Sequence, residues 1–240
     1  MFRTNALIAA LLAVGLCAAP AAAQQTLSLN AGLFTLRGVA DRVPGDTLNA
    51  NLFAESPFEL SFRMSDFSNT TFGGDWLFPL GEFFEGGVGV NYYAHSVPSF
   101  YPDLQDQATG ADITQTLSLR EVPVTASIRW LPTGRRFPIQ PYIGVGVSVI
   151  PWRYSEVGTF VGPLDGTSYP TFTADYHDSG VAVGAMVMAG IRLAIAHVFA
   201  LGGEVRYLKA DTALDPTAGF LGDRLDLGGV SYLATFNIKF

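Results

Sequence analysis

Val230-Ser231-Tyr232-Leu233-Ala234-Thr235-Phe236-Asn237-Ile238-Lys239-Phe240 closes the chain and alternates along its whole length. Val230, Tyr232, Ala234, Phe236, Ile238 and Phe240 share one side, and Ser231, Leu233, Thr235, Asn237 and Lys239 the other. Successive strand side chains point to opposite faces, so one face is continuously apolar and aromatic while its opposite is mostly polar. A half-buried strand of a soluble protein also alternates. Aromatic residues at both ends of the apolar face, with Phe240 last on it, favour a strand that faces lipid.

The same pattern recurs upstream. Leu27, Leu29, Ala31 and Leu33 alternate with Ser28, Asn30, Gly32 and Phe34. A less regular segment at 70–79 sets Phe72, Trp76 and Phe78 outward and Asp75 inward. Val88, Val90, Tyr92 and Ala94 oppose Glu85, Gly87, Gly89, Asn91, Tyr93 and His95. Val122, Val124, Ala126, Ile128 and Trp130 oppose Glu121, Thr125, Ser127 and Arg129. Ile143, Val145, Val147 and Val149 oppose Tyr142, Gly144, Gly146 and Ser148. The odd positions of 181–193 are apolar against Ala182, Gly184, Met186, Met188, Gly190 and Arg192. Leu201, Val205 and Tyr207 oppose Glu204 and Arg206. With the closing segment this predicts eight strands of about 10–14 residues, each long enough to cross a bilayer at a tilt.

Connection lengths fix the topology. Short ones at 80–83, 131–138 and 195–198 alternate with long ones near 38–69, 97–113, 155–178 and 210–226. The prediction is an all-β fold: an eight-stranded antiparallel up-and-down transmembrane β-barrel with short periplasmic turns and long extracellular loops. A lipocalin-like barrel also has eight strands, but its apolar face points inward and its surface is more charged. Within the first long loop, residues 58–64 are expected to extend the second strand or to form a short strand of their own.

Composition agrees. Charged residues make up only 15% of the chain and hydrophobic residues 49%, against about 25% charged in an ordinary soluble domain. After the leader, no apolar run reaches the ~18–20 residues of a membrane helix, and the longest, 181–196, is interrupted by Arg192. Residues 1–23 read as a secretory signal: Arg3, an apolar stretch at 6–19, then Ala21-Ala22-Ala23 before Gln24. Leu16 stands before Cys17 where a lipobox needs a small residue, which disfavours lipidation. Residues 24–240 are then the barrel domain. Cys17 leaves with the leader, which excludes disulfides and cysteine chemistry from the mature part. A net charge of −7 with no basic cluster argues against nucleic acid.

Further residues carry a resemblance. Arg120-Glu121-Val122-Pro123-Val124-Thr125-Ala126, Leu131-Pro132-Thr133-Gly134, the 140–146 segment, Trp152-Arg153-Tyr154, the 203–207 segment and the 226–229 segment resemble small bacterial outer-membrane β-barrel proteins of the outer-membrane protein W and OmpA-barrel groups. The resemblance implies an eight-stranded barrel in the outer membrane after Sec-dependent export, surrounded by outer-membrane lipid and lipopolysaccharide, and implies little about activity. Tyr232, Phe236, Ile238 and Phe240 resemble the C-terminal signal read by the barrel-assembly machinery. A monomer is expected.

Inward-facing Asp75, Glu85, Glu121, Arg129, Arg192, Glu204, Arg206 and Lys239 carry both signs of charge. They fill the lumen as an ion-pair plug or line a narrow polar pore. The inward glycines make room for those side chains or for water. Trp76, Tyr92, Trp130, Tyr207 and Tyr232 suit the aromatic girdles at the membrane surfaces. Acidic loops holding Asp103, Asp106, Asp112, Glu156, Asp165, Asp175 and Asp178 read as hydrated surface rather than metal sites, since no calcium-loop spacing is present. No cofactor is expected. The expected function is non-catalytic: narrow passage of small solutes, or presentation of loops at the cell surface. The alternative is a lipid-modifying enzyme at the extracellular rim, for which His95-Ser96 and the 175–179 segment around His177 are the candidates. His197 has no such company.

Overall fold

A computed structural model describes residues 24–163 and 168–240; the expected leader at 1–23 and Asp165 lie outside the described residues. The strands are β1 (Thr26–Leu36), β2 (Asn69–Pro79), β3 (Phe84–Gln105), β4 (Asp112–Glu121), β5 (Val124–Trp130), β6 (Ile139–Val161), β7 (Thr171–Ala194), β8 (Phe199–Ala213), β9 (Arg224–Asp226) and β10 (Gly229–Lys239). One short helix, α1 (Thr47–Leu52), lies in the first extracellular loop.

The strands form a closed antiparallel ring of eight staves. β10 pairs with β1 from Thr26↔Lys239 to Leu36↔Gly229 and with β8 from Gly229↔Leu208 to Ile238↔Phe199. Gln25 and Phe240 exchange backbone hydrogen bonds of 2.9 and 3.0 Å at the seam. The ring therefore has no edge within the membrane. β4 and β5 are one stave: both pair with β3 and β6, and the register runs on across Val122 and Pro123. Pro123 and Pro151 stand one position out of register there and donate no N–H; Val122 N–H reaches the Pro151 carbonyl at 2.9 Å and Asn91 N–H reaches the Pro123 carbonyl at 3.0 Å.

The barrel's polarity reverses along each long stave. On β7 the outward residues run Thr173, Asp175, His177, Ser179, then Val181, Val183, Ala185, Val187, Ala189, Ile191 and Leu193. On the β4–β5 stave they run Thr114, Thr116, Ser118, Arg120, then Val124, Ala126, Ile128 and Trp130. From Val181 to Leu193 the strand rises about 40 Å, which a tilt of about 45° reduces to roughly 28 Å, close to the apolar band of such barrels. Tyr92, Tyr207 and Tyr232 are exposed near its upper margin and Trp76 and Trp130 near its lower one. The Trp76 and Phe240 rings lie 6.5 Å apart.

Four staves continue far past this band. β3, β6 and β7 have 22, 23 and 24 residues, against the 10–14 expected. The long connections at 97–113 and 155–178 are thus mostly strand. Outward polar residues ended the expected strands at the membrane surface, because in water the apolar face belongs inside. At the tip of the β3–β4 hairpin the amide and hydroxyl of Thr109 donate to Asp106 and hold its carboxyl below the usual range.

The interior reverses in step. Above the band it is an apolar core that includes Leu117, Leu119, Ile150, Trp152 and Tyr154. The first loop folds down into it. Leu48 of α1 and Phe67 are fully buried, and Leu60, Phe62 and Met64 pack beside them. The expected strand at 58–64 is instead a single bridge, Ser61 to Phe100. Asp46 caps α1 by accepting from Asn49 N–H at 3.1 Å and binds Arg42 through both oxygens at 2.5 and 2.9 Å. Arg42 also donates to the Asp226 carbonyl at 2.9 Å, and Arg37 forks onto the Asp226 carboxylate.

The position of the band is testable. Val147→Arg places a charge on the lipid face and should cost about 2–4 kcal/mol. Thr116→Arg, on the same outward face above the band, should leave the urea midpoint in lipid vesicles unchanged. Equal effects from the two would displace the band.

Candidate functional site

Alternation alone decides which side chains enter the lumen. β2 and β8 send in Asp75, Glu204 and Arg206, β5 sends Arg129, β3 sends Glu85 and Asn91, and β7 sends Arg192. Arg206 pairs with Asp75 and with Glu204. Arg129 reaches the same two carboxylates at 3.4 and 3.3 Å. The result is a balanced square of two acids and two guanidinium groups, all buried. Charges held this far from water persist only when paired. Asn91 Oδ1 accepts from Arg206 at 3.0 Å, Asn91 donates to Asn30 Oδ1 at 2.6 Å, and Asn30 donates to Asp75 at 3.2 Å.

A second cluster lies below the first. Glu85 pairs with Arg192 and, at 3.3 Å, with Arg135 of the 131–138 turn. Tyr142 joins the clusters. Its hydroxyl donates to Glu204 at 2.6 Å, and the guanidinium carbons of Arg129 and Arg192 stand 5.1 and 5.2 Å from its ring centroid. The ring's electron-rich faces make this a favourable place for two cations.

Glycine makes the space. A Cβ on Gly89 would sit 2.1 Å from Asp75 Oδ1, and one on Gly190 would sit 2.5 Å from the Tyr142 ring. One on Gly144 or on Gly202 would approach the Cγ of Arg129 or of Arg192 to 3.2 Å. The inward glycines thus make room for Asp75, Tyr142, Arg129 and Arg192.

Of the eight inward charges expected, Glu121 and Lys239 make no ion pair with this network among the described residues. Glu121 is buried higher up, beside Tyr93 and Pro123 on a cavity of about 40 Å³, and makes no ion pair among the described residues. Such a volume admits a few waters at most. Lys239 is half-buried on the wall of an open periplasmic vestibule of about 330 Å³ with Glu82, Arg135, Arg136 and Gln140. The vestibule ends at Glu85.

Sequence reading missed the upper seal. Asn51 donates to Glu156 at 2.6 Å and Tyr154 to the same oxygen at 2.8 Å, and above lies the Arg37–Asp226 and Arg42–Asp46 latch. The four-residue spacing of Arg42 and Asp46 was the available signal. Tyr142 sat among the inward residues without a partner to mark it.

The candidate catalytic residues are not assembled. Adjacent residues of a strand face oppositely, so Ser96 bonds to Ser118 at 2.8 Å on the outer side while His95 points inward. His177 stands exposed 3.6 Å from Asp175, and Asp178 accepts from the backbone amides of Ser179 and Asp215. Among the described residues no group of three or more His, Cys, Asp or Glu could hold a metal ion.

An edgeless ring with a lipid-matched apolar belt and a charged interior defines a membrane-spanning β-barrel of the outer-membrane type. The chain belongs to the outer membrane protein beta-barrel domain family, whose profile matches residues 9–228. This places it in the bacterial outer membrane. Among solved structures it is similar to the outer-membrane protein OprG of Pseudomonas aeruginosa, with 12% identity, a TM-score of 0.51, and coverage of 91% of this chain and 96% of that one. It is also similar to Neisserial surface protein A, with 12% identity, a TM-score of 0.46, and coverage of 90% and 97%. The likeness to OprG is one of fold alone. No curated protein sequence matches the chain.

Two substitutions test the packed lumen. Arg206→Ala leaves Asp75 and Glu204 sharing Arg129 and should cost about 3–5 kcal/mol. Gly190→Ala should cost about 1–3 kcal/mol by overpacking, and a Tyr142→Ala background should relieve only part of that penalty, since the new Cβ also meets the Gly203 carbonyl oxygen at 2.7 Å. Unchanged urea midpoints for both single variants would mean a wet, loosely filled lumen.

Proposed function

We propose that this protein is a non-conducting, non-catalytic barrel whose work is done by its extracellular sheet. The observation behind this reading is that the lumen is closed twice while four staves run on beyond the membrane. The lower closure is the ion-pair square with Tyr142 and Arg192. The upper closure is the first loop, buried in the apolar core and latched by Arg37, Arg42, Asp46 and Asp226. A path for solutes has to break two independent sets of interactions. Above the membrane, β3, β4, β6 and β7 remain paired as an ordered sheet. Ordered strands suit recognition, because a partner that binds them does not have to bear the entropy of ordering a loop.

Biogenesis completes the proposal. Export through the Sec route removes residues 1–23, and the barrel-assembly machinery reads Tyr232, Phe236, Ile238 and Phe240. The mature chain works as a monomer among outer-membrane lipid and lipopolysaccharide.

The test is single-channel recording of the protein, purified from outer membranes, in a planar bilayer. The expected result is silence from a barrel shown to be folded by its heat-dependent mobility on gels. Reproducible conductance steps from the unmodified protein would overturn the reading and make the lumen charges a filter.

A further inference from the structure

One strand edge of the extracellular sheet is bare. β7 pairs with β6 over its whole length, from Ile139↔Leu193 to Val161↔Thr171. On its other side it meets β8 only from Gly184↔Ala210 downward. Residues 171–182 therefore have a paired strand on one side only, and on the other the 214–220 loop lies against the Tyr176 and Asp178 side chains.

The phase of the ladder says which groups face the open side. Gly162 N–H bonds to the Pro170 carbonyl and Ala194 N–H to the Pro138 carbonyl, each at 2.8 Å. Even-numbered residues of this strand therefore turn their peptide groups toward β6, because the pattern repeats every second residue. The odd-numbered Thr173, Asp175, His177, Ser179 and Val181 turn theirs outward, and the side chains of all five are exposed. Among the described residues only one of these groups is hydrogen-bonded: Ser179 N–H, at 2.7 Å from Asp178 Oδ1. The neighbouring loop touches side chains alone, with Asp215 N–H on Asp178 at 2.8 Å and the Phe220 ring 6.4 Å from Tyr176.

Proteins that keep such an edge from pairing use proline, lysine, a bulge or a cover. Residues 171–182 contain no proline and no lysine, the register with β6 has no bulge, and the 214–220 loop covers only the inner side, where it meets Tyr176 and Asp178. The far edge of the same sheet, on β3, is treated differently. There Ser61 N–H occupies the Phe100 carbonyl at 2.8 Å.

We propose that residues 173–181 of β7 bind an extended segment of another polypeptide as an added antiparallel strand. This rests on the display reading above and names its partner class. Main-chain hydrogen bonds supply affinity in this mode, and alternate side chains supply selectivity. On the inner face of the edge stand Phe172, 44% exposed, Ala174 and Tyr176, with Asp178 beyond them bonded to the 214–220 loop, so the inner residues of the guest strand opposite Phe172 to Tyr176 are apolar. On the outer face stand Asp175 and His177, so its outer residues are basic. A second copy in the same membrane is not the occupant. Both copies run this edge in the same direction relative to the bilayer, and antiparallel pairing needs opposite directions.

The experiment uses the full chain in nanodiscs of zwitterionic lipid and a synthetic peptide of alternating valine and lysine. In an antiparallel pair the bonded residues sit opposite one another with side chains on the same face. The lysine amides of the peptide therefore face β7, and the valine amides face water. The expected result is binding with hydrogen-exchange protection of the 173, 175 and 177 amides. N-methylation of the lysine amides should weaken binding about tenfold or more, as should His177→Pro in the protein, since each removes edge hydrogen bonds. N-methylation of the valine amides should leave binding within about twofold, since those amides carry no bond to β7. Proline is tolerated on an unpaired edge, and unchanged gel mobility verifies that the variant folds. No binding, equal binding of the two methylated peptides, or protection of these amides in the free protein would each overturn the proposal. A silent bilayer without peptide binding retires the edge and leaves the display reading standing, whereas conductance steps retire the display reading whatever the peptide does.

Discussion

The constraint on which the rest depends is that a bilayer interior offers no partner to a peptide N–H or C=O. β10 answers it by pairing on both sides, with β1 and with β8, and so removes the last free edge at membrane depth. Closure of the ring then dictates the remainder. One face of every stave must suit lipid and the other must fill a narrow tube. Small barrels have interiors wide enough for side chains and little else. The charges inside are tolerable because they cancel in pairs and because glycine opposite them leaves room.

Above the membrane the same backbone meets the opposite demand. Water takes over the outside, so the apolar residues move to the inside. Arg120 and Arg153 point outward where Ile128 and Val145 do so lower down, and Trp152 and Leu119 point inward where Arg129 and Tyr142 do. An open-topped tube of apolar side chains is unstable in water. The first loop stops it by contributing Leu48, Leu60, Phe62, Met64 and Phe67, and its buried Arg37, Arg42 and Asp46 pair with one another and with Asp226. Covering the top of the lumen is thus a by-product of stabilising the part that projects.

The staves at membrane depth were legible because lipid imposes a strict period of two. Leu27 to Leu33, Val88 to Tyr92 and Tyr232 to Phe240 alternate without error. The projecting strands were not, because their outward residues are Thr114, Thr116, Asp175 and His177, which read as loop. Which charged residues enter the lumen followed from parity, as with Glu204 and Arg206. Who meets whom did not, because Asp75, Arg129 and Glu204 come from staves far apart in sequence. Tyr142, an uncharged residue between two arginines, gave no warning of its position at the junction. The first loop has no periodicity at all, and its burial follows from the cavity it fills rather than from its own pattern.

The reversal of polarity at Val122 and Pro123 has a thermal consequence. Below it, a strand cannot open locally, because its freed peptide groups would find no partner in the bilayer. Above it, the core is taken from water, and its exposure carries the usual increment of about 12–15 cal/mol/K per residue. Partial opening is therefore confined to the projecting half and follows that half's curved stability profile. Cooling weakens the hydrophobic term that holds the projecting core together. The projecting sheet with its buried first loop is the half that loosens in the cold, while the band in the membrane holds its shape.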